Sequence, residues 1–260
     1  MMQKFSIIGV SISAVNLDLA AETIDEWLQK REKRYVCIAP VSTIMTCQDD
    51  PAYREVINQA DMVTPDGMPV VWLGRKQGFK QISRTYGPDL MPLICKRGQE
   101  KGYRHYFYGG SEETLRRMET RLRNRYPRIQ IAGRYSPPFR ELTSAELQAD
   151  LDRINATNAD ILWVGLGSPK QDFWIAQNRA KLNTSILIGV GAAFDFLAGT
   201  KPQAPRWMQR SGLEWLFRFY HEPRRLWKRY LLGNPRFVFL LLKEAVFRKF
   251  NFYRRKRENN

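Results

Sequence analysis

The sequence predicts an α/β fold, a parallel sheet flanked by helices, followed by an all-helical C-terminal segment. Short apolar runs alternate with amphipathic, helix-period segments through about residue 200, which is the pattern of consecutive βαβ units. Around Thr200 the strand patterns stop and only helical ones follow, each with a proline at or near its first turn. The charge changes at the same place. Residues 201–260 hold 16 Lys/Arg against 4 Asp/Glu, a net of +12 out of +16 for all 260 residues.

The elements follow in order. Residues 5–12 read as a strand and 17–33 as an amphipathic helix. A strand follows at 35–39, then a helical stretch at 43–60 that Pro51 interrupts, and a short extended segment at 61–64. Residues 89–101 are helical. The strand at 105–108 ends at Gly109-Gly110, after which Ser111 has the chemistry of an N-cap for a helix to Tyr126. Next come a strand at 129–132, a helix at 144–155, a strand at 161–166, a helix at 169–181 and a strand at 185–190. Helices at 205–220, 223–232 and 235–252 complete the chain. The predicted division is a body of residues 1–200 and an appendage of residues 201–260.

Composition narrows the function classes. With 43% hydrophobic and 26% charged residues, the chain has the make-up of a soluble folded protein with a sizeable core. Cys37, Cys47 and Cys95 are odd in number and lack CxxC spacing. This favours free thiols in a reducing compartment over disulfides or a zinc site. The N-terminus lacks the basic and apolar regions of a signal peptide. The longest apolar run of the tail, residues 237–242, is far short of the roughly 20 residues needed to span a bilayer. A cytoplasmic protein, at most peripheral to a membrane, is expected. The tail interleaves its cations with Trp207, Trp215, Phe219, Tyr220, Trp227 and Tyr230, and closes on Arg254-Arg255-Lys256-Arg257. Lys/Arg beside large apolar residues suits a surface of anionic phosphate over an apolar layer.

Ligands of open α/β sheets bind beyond the carboxyl ends of the strands, so polar or glycine-rich segments directly after strands are the candidate sites. In Thr64-Pro65-Asp66-Gly67, Asp66 follows a strand and could serve as a general base, although Pro-Asp-Gly is also ordinary turn chemistry. In Gly165-Leu166-Gly167-Ser168-Pro169-Lys170-Gln171, the glycines let backbone N–H groups approach a phosphate at a helix N-terminus, and Lys170 and Gln171 add donors; a plain strand-to-helix turn is the alternative. Gly189-Val190-Gly191 leads to Asp195, suited to a base or ribose, or simply to close packing and a cap. Arg84 could hold a phosphate in its planar fork, and Asp89 reads as a helix cap. Asp150-Leu151-Asp152 spells a DxD but lies in a helical pattern, where it reads as a solvated face. His105 and His221 have no second ligand at metal spacing, and both read as structural.

Taken in order, the segments at residues 64–72, 165–172, 189–195, 204–207 and 212–218, together with Glu222-Pro223-Arg224-Arg225 and Arg229-Tyr230, resemble the WecG/TagA/CpsF glycosyltransferases over nearly the whole chain. The resemblance implies a Rossmann-like body and a C-terminal appendage that seats on the inner face of the bacterial plasma membrane and completes the active site. It implies inverting, metal-independent and cofactor-free transfer from a UDP-sugar (ManNAc, glucose or similar) to a polyprenyl-diphosphate-linked saccharide, in exopolysaccharide, teichoic acid or related glycan synthesis. By residue, it implies Asp66 as base, Arg84, Arg218 and Arg225 as catalytic arginines, and Gln171 near the donor sugar, with Gly165, Gly167 and Asp195 lining the UDP pocket. A third appendage position falls at Lys228 or Arg229. Where many relatives carry Thr-Pro-Asn, this chain has Ala39-Pro40-Val41, leaving Ser42 or Thr43 to substitute. Self-association would hide the apolar appendage when lipid is absent. A non-catalytic scaffold is a second reading. Nucleic-acid binding is a third and is disfavoured, because no recognised module accompanies the charge.

Overall fold

In the computed structural model, the backbone of residues 2–258 and the side chains of residues 2–247 are described. The side chains of Arg248, Lys249, Phe250 and the Arg254–Arg257 cluster therefore lie outside the described residues.

A six-stranded, wholly parallel sheet forms the centre, in spatial order β4-β3-β8-β7-β5-β6. Its strands are β3 (Arg34–Ala39), β4 (Met62–Pro65), β5 (Arg104–Gly109), β6 (Gln130–Tyr135), β7 (Ile161–Gly165) and β8 (Ile186–Gly189). The period-2 geometry of a strand explains how one sheet serves two cores. Tyr35, Cys37 and Ala39 of β3 face one core, while Val36 and Ile38 face the other. The first core is covered by α2 (Val41–Asp49), α3 (Pro51–Asn58), α4 (Met68–Lys76), α7 (Ser144–Asn155) and α8 (Lys170–Asn178). The second is covered by α1 (Leu17–Gln29), α5 (Gly87–Lys101), α6 (Glu112–Arg125) and α9 (Ala193–Ala198). Ser111 caps α6 by accepting from Thr114 N at 3.1 Å.

Several elements differ from the sequence expectation. Residues 5–12 are not one strand but an antiparallel hairpin of β1 (Lys4–Ile7) and β2 (Val10–Ser13). Ile8 and Gly9 both have positive φ, 41° and 82°, as a two-residue type I′ connection requires. Helices α4 and α9, absent from the sequence reading, follow directly after Gly67 and Ala192. The expected helix at 205–220 is two, α10 (Arg206–Ser211) and α11 (Glu214–His221). Gly212 parts them as a left-handed C-terminal cap with φ 79°, and a Cβ there would meet the Trp72 ring at 2.9 Å. Glycine therefore serves both the backbone and the close approach to α4. Next come α12 (Pro223–Trp227), a π-helical turn over Lys228–Leu232, and α13 (Gly233–Glu258).

The C-terminal helices are fastened to the body. Phe237 of α13 is buried in the first core, and Arg236 makes a paired contact with Asp49 at 2.6 and 2.8 Å. Asp89 is not the cap of α5, whose N-cap is Tyr86. It lies in the first turn and binds Arg206 through both oxygens, at 3.0 and 3.1 Å. Asp150 is not solvated: it is buried and accepts from the Tyr108 hydroxyl at 2.7 Å. Among the described residues no helix is long and apolar enough to cross a membrane.

His105 of β5 is fully buried, and its Nδ1 accepts from Trp163 Nε1 at 3.1 Å. Burial draws its pKa from 6.5 down to about 4. The folded ring thus stays neutral while the unfolded ring protonates. This contribution to stability is complete above pH 6.5 and is lost as pH falls toward 4, at about 1.4 kcal/mol per pH unit. His105→Gln, which keeps an acceptor for Trp163, should give a shallower decline of unfolding free energy than the natural chain below pH 6.5, measured by urea titration.

Candidate functional site

A cleft of about 540 Å³ opens over the carboxyl ends of β3, β4, β7 and β8, where open α/β sheets bind ligands. The strand ends supply its floor: Pro40, Asp66, Gly167 and Gly189 through Ala193. The other wall comes from the C-terminal helices. All five cations that line the cleft among the described residues, Arg218, Arg225, Lys228, Arg229 and Arg236, belong to that segment. The body contributes only neutral or acidic side chains, Asp49 and Asp66 among them.

Asp66 follows β4, the edge strand, immediately before the Gly67 cap of α4. The positive φ of Gly67, 84°, lets the chain turn from strand into helix there. Asp66 Oδ1 accepts from Arg84 Nε at 3.1 Å, and Oδ2 has no protein hydrogen bond among the described residues.

Arg84 lies over the Tyr86 ring, 3.5 Å from its centroid. It donates to Gln209 Oε1 at 3.0 Å and forms a salt bridge with Glu214. Burial opposes the guanidinium charge, yet the carboxylates of Asp66 and Glu214 hold its pKa above the ordinary value. Burial also raises the Glu214 pKa against the opposing pull of Arg84. Tyr86 continues the network, donating to Gln209 at 3.1 Å and accepting from Gln203 at 2.8 Å.

Gln171 is buried, and its Oε1 accepts from Gly167 N at 3.1 Å and Gly191 N at 3.0 Å. The Gly167 N–H, in the segment expected to approach a phosphate, is thus already used, and the Gln171 amide clamps the two glycine loops together. Beneath it, the Asp172 carboxylate accepts from the Tyr53 hydroxyl at 2.7 Å, and burial raises its pKa.

Ser42, Thr43, Gly167, Gln171, Arg218, Arg225 and Arg229 line the cleft together with Asp66. Arg84 stands behind Asp66. Three residues expected to bind substrate lie elsewhere. Gly165 packs under Phe194, whose ring a Cβ would meet at 2.5 Å. Lys170 is exposed on the first turn of α8. Asp195 pairs with Lys201 at 3.3 Å. Both Lys228 and Arg229 reach the cleft; Lys228 is exposed and Arg229 is half-buried. Its Nε is buried without a hydrogen-bond partner among the described residues. Burial and nearby Arg218 draw its pKa below the ordinary value. Sequence reasoning assigned no role to Glu214, Gln209 or Tyr86. The available signal was Glu214 itself, one of only four acids in a segment of net charge +12. Among the described residues, no group of three or more His, Cys, Asp or Glu is placed to hold a metal ion.

A second, largely apolar groove of about 430 Å³ adjoins the cleft, between α4 and helices α11 and α13. Asp66, Glu214, Arg218 and Arg229 stand in the wall common to both.

Residues 5–251 match the family described as "Glycosyl transferase WecG/TagA/CpsF family". The chain is 30% identical over 217 residues to the N-acetylglucosaminyldiphosphoundecaprenol N-acetyl-beta-D-mannosaminyltransferase of Bacillus spizizenii W23, covering 84% of this chain and 82% of the relative. It is 28% identical over 246 residues to the protein of the same description from Bacillus subtilis 168, covering 92% and 93%. Fold, cleft and these matches together define the class of enzyme, a glycosyltransferase. The chain belongs to the WecG/TagA/CpsF family of such enzymes.

Arg84 separates two carboxylates with little exposure. Removing it leaves like charges facing each other, and breaking a buried pair in this way costs about 3 kcal/mol. Arg84→Ala should lower unfolding free energy by about that much at neutral pH and make the C-terminal helices more sensitive to limited proteolysis. A raised carboxyl pKa favours the fold below the usual carboxylate range and penalises it above. The deficit should therefore shrink as pH falls and Glu214 takes up a proton.

Proposed function

We propose that this chain transfers an N-acetylmannosaminyl or related sugar from a UDP-sugar to a polyprenyl-diphosphate-linked saccharide, with inversion and without a metal. The reaction would take place on the inner face of the bacterial plasma membrane, in exopolysaccharide, teichoic acid or related glycan synthesis. The observation that carries this reading is the position of Asp66, in the wall common to a cation-rimmed polar cleft and an apolar groove. The relatives' acceptor, a sugar on diphosphoundecaprenol, has a polar and an apolar end to match.

In this reading the UDP-sugar occupies the polar cleft. Asp66 Oδ2 takes the proton of the acceptor hydroxyl as that oxygen attacks the anomeric carbon. The bond from that carbon to the diphosphate breaks on the opposite face, and its electron pair leaves with UDP. Arg218 and Arg225, with Lys228 at the rim, offset the charge that develops there. Arg84 fixes Asp66 through Oδ1. Ser42 and Thr43 supply the polar groups of the cleft wall beside Asp66. Residues 1–200 serve as the catalytic body, and residues 201–260 complete the active site and dock on the membrane. Exposed Leu216, Tyr220, Trp227, Leu231, Leu232 and Phe239 give the docking surface its apolar component, and each basic residue near an anionic surface adds about 1 kcal/mol.

Asp66→Asn should abolish transfer from radiolabelled UDP-ManNAc to GlcNAc-diphosphoprenol, by at least about a thousandfold if Asp66 is the sole base. UDP affinity should be unchanged in calorimetry. Full activity in that variant would refute the mechanism. In vesicle flotation, the full chain should rise with vesicles containing phosphatidylglycerol, remain behind with pure phosphatidylcholine, and be released by high salt.

A further inference from the structure

We infer that the apolar groove beside Asp66 is a binding site for the isoprene units nearest the acceptor's diphosphate, with Arg229 at its head to hold that diphosphate. The inference rests on the proposed function and deepens it by naming where the lipid goes.

Three features carry it. The groove walls face each other across a gap that no part of the described chain fills: Met68, Trp72 and Leu73 of α4 on one side, Trp215 of α11 with Val238 and Leu241 of α13 on the other. Trp72 and Val238 are about half exposed, 49% and 54%, so each leaves large apolar surface in water that an apolar occupant would cover. In the wall shared with the cleft the groove meets a guanidinium, Arg229, whose Nε is buried and has no hydrogen-bond partner among the described residues. A buried donor without an acceptor is costly, and an anion placed there would satisfy it. Finally, the wall shared with the cleft carries a carboxylate, Asp66, and a guanidinium, Arg229, beside apolar side chains. A lipid-linked acceptor combines the three matching groups: sugar hydroxyl, diphosphate and isoprene chain. A bilayer phospholipid would also present phosphate and chain, but it carries no sugar to place an acceptor hydroxyl at Asp66. The acceptor's own chain is therefore the occupant. Isoprene units beyond the groove would pass along the exposed apolar face of α13 at Phe239 and Leu242.

The placement differs from the donor's. Arg225 and Lys228 line only the polar cleft, whereas Trp72, Trp215 and Val238 line only the groove. A prenyl diphosphate and UDP should therefore bind together.

The test is calorimetric binding of farnesyl diphosphate, geranyl diphosphate and inorganic diphosphate to the full chain, without vesicles and below micelle-forming concentrations. Each titration is repeated in the presence of saturating UDP. Farnesyl diphosphate should bind at least tenfold more tightly than inorganic diphosphate, with geranyl diphosphate between them, and UDP should not displace it. Val238→Asp should remove that preference while leaving UDP affinity unchanged. Equal affinity for farnesyl and inorganic diphosphate would overturn the inference, as would displacement of farnesyl diphosphate by UDP. A Val238→Asp variant that keeps the chain-length preference, or that only changes the association state in light scattering, would also overturn it. Sugar transfer to GlcNAc-diphosphofarnesol, measured separately, reports on the proposed function. Transfer without chain-length preference would leave that function standing and remove the groove. Prenyl preference without transfer would do the reverse.

Discussion

The site depends on one cation held between two carboxylates. Arg84 reaches Asp66 on the sheet edge and Glu214 on the first C-terminal helix that faces the cleft, with Gln209 as a neutral third partner. Its stacking on Tyr86 fixes the plane of the guanidinium. A planar fork with several donors can serve all these acceptors at once, which a lysine ammonium on a flexible stem would not reproduce. The same side chain thus orients the candidate base and sets the position of the helices that close the cleft. Asp89–Arg206 and Asp49–Arg236 fasten those helices at two further points, and Phe237 anchors them in the core.

Charge is divided between the two parts of the chain in a way that bears on chemistry. The strand ends offer a carboxylate, hydroxyls and glycine loops, while α11, α12, the π-helical turn and α13 bring the cations. In the proposed reaction neither half alone would supply both the base and the counter-charge for the departing diphosphate. In the glycine loops the N–H groups of Gly167 and Gly191 are engaged inside the protein by Gln171. In the proposed reaction, anion recognition falls to the arginines.

The alternation of strand and helix was legible in the sequence because period-2 and period-3.6 patterns are local. Errors arose where tertiary structure used residues that carry no local signal. The Ile8-Gly9 turn is hidden because apolar residues continue on both sides of it. Helices α4 and α9 are short and begin after turn-like segments, Pro65-Asp66-Gly67 and Gly189-Val190-Gly191, that read as loops. Gly212 lies within the helix expected at 205–220, and its close approach to Trp72 comes from packing alone. Asp150 looked solvated because its partner, Tyr108, lies 42 residues away in the chain.

The sequence by itself determined the α/β class, the change of character near Thr200, the family likeness and the candidacy of Asp66, Arg84, Arg218 and Arg225, since these rest on residue type, spacing and order along the chain. Only the tertiary structure decided that Arg84 binds Asp66 and Glu214 together, that Lys170, Gly165 and Asp195 stand away from the cleft, and that an apolar groove opens beside Asp66. Those facts depend on contacts between separate segments of the chain, which packing sets and local pattern does not encode.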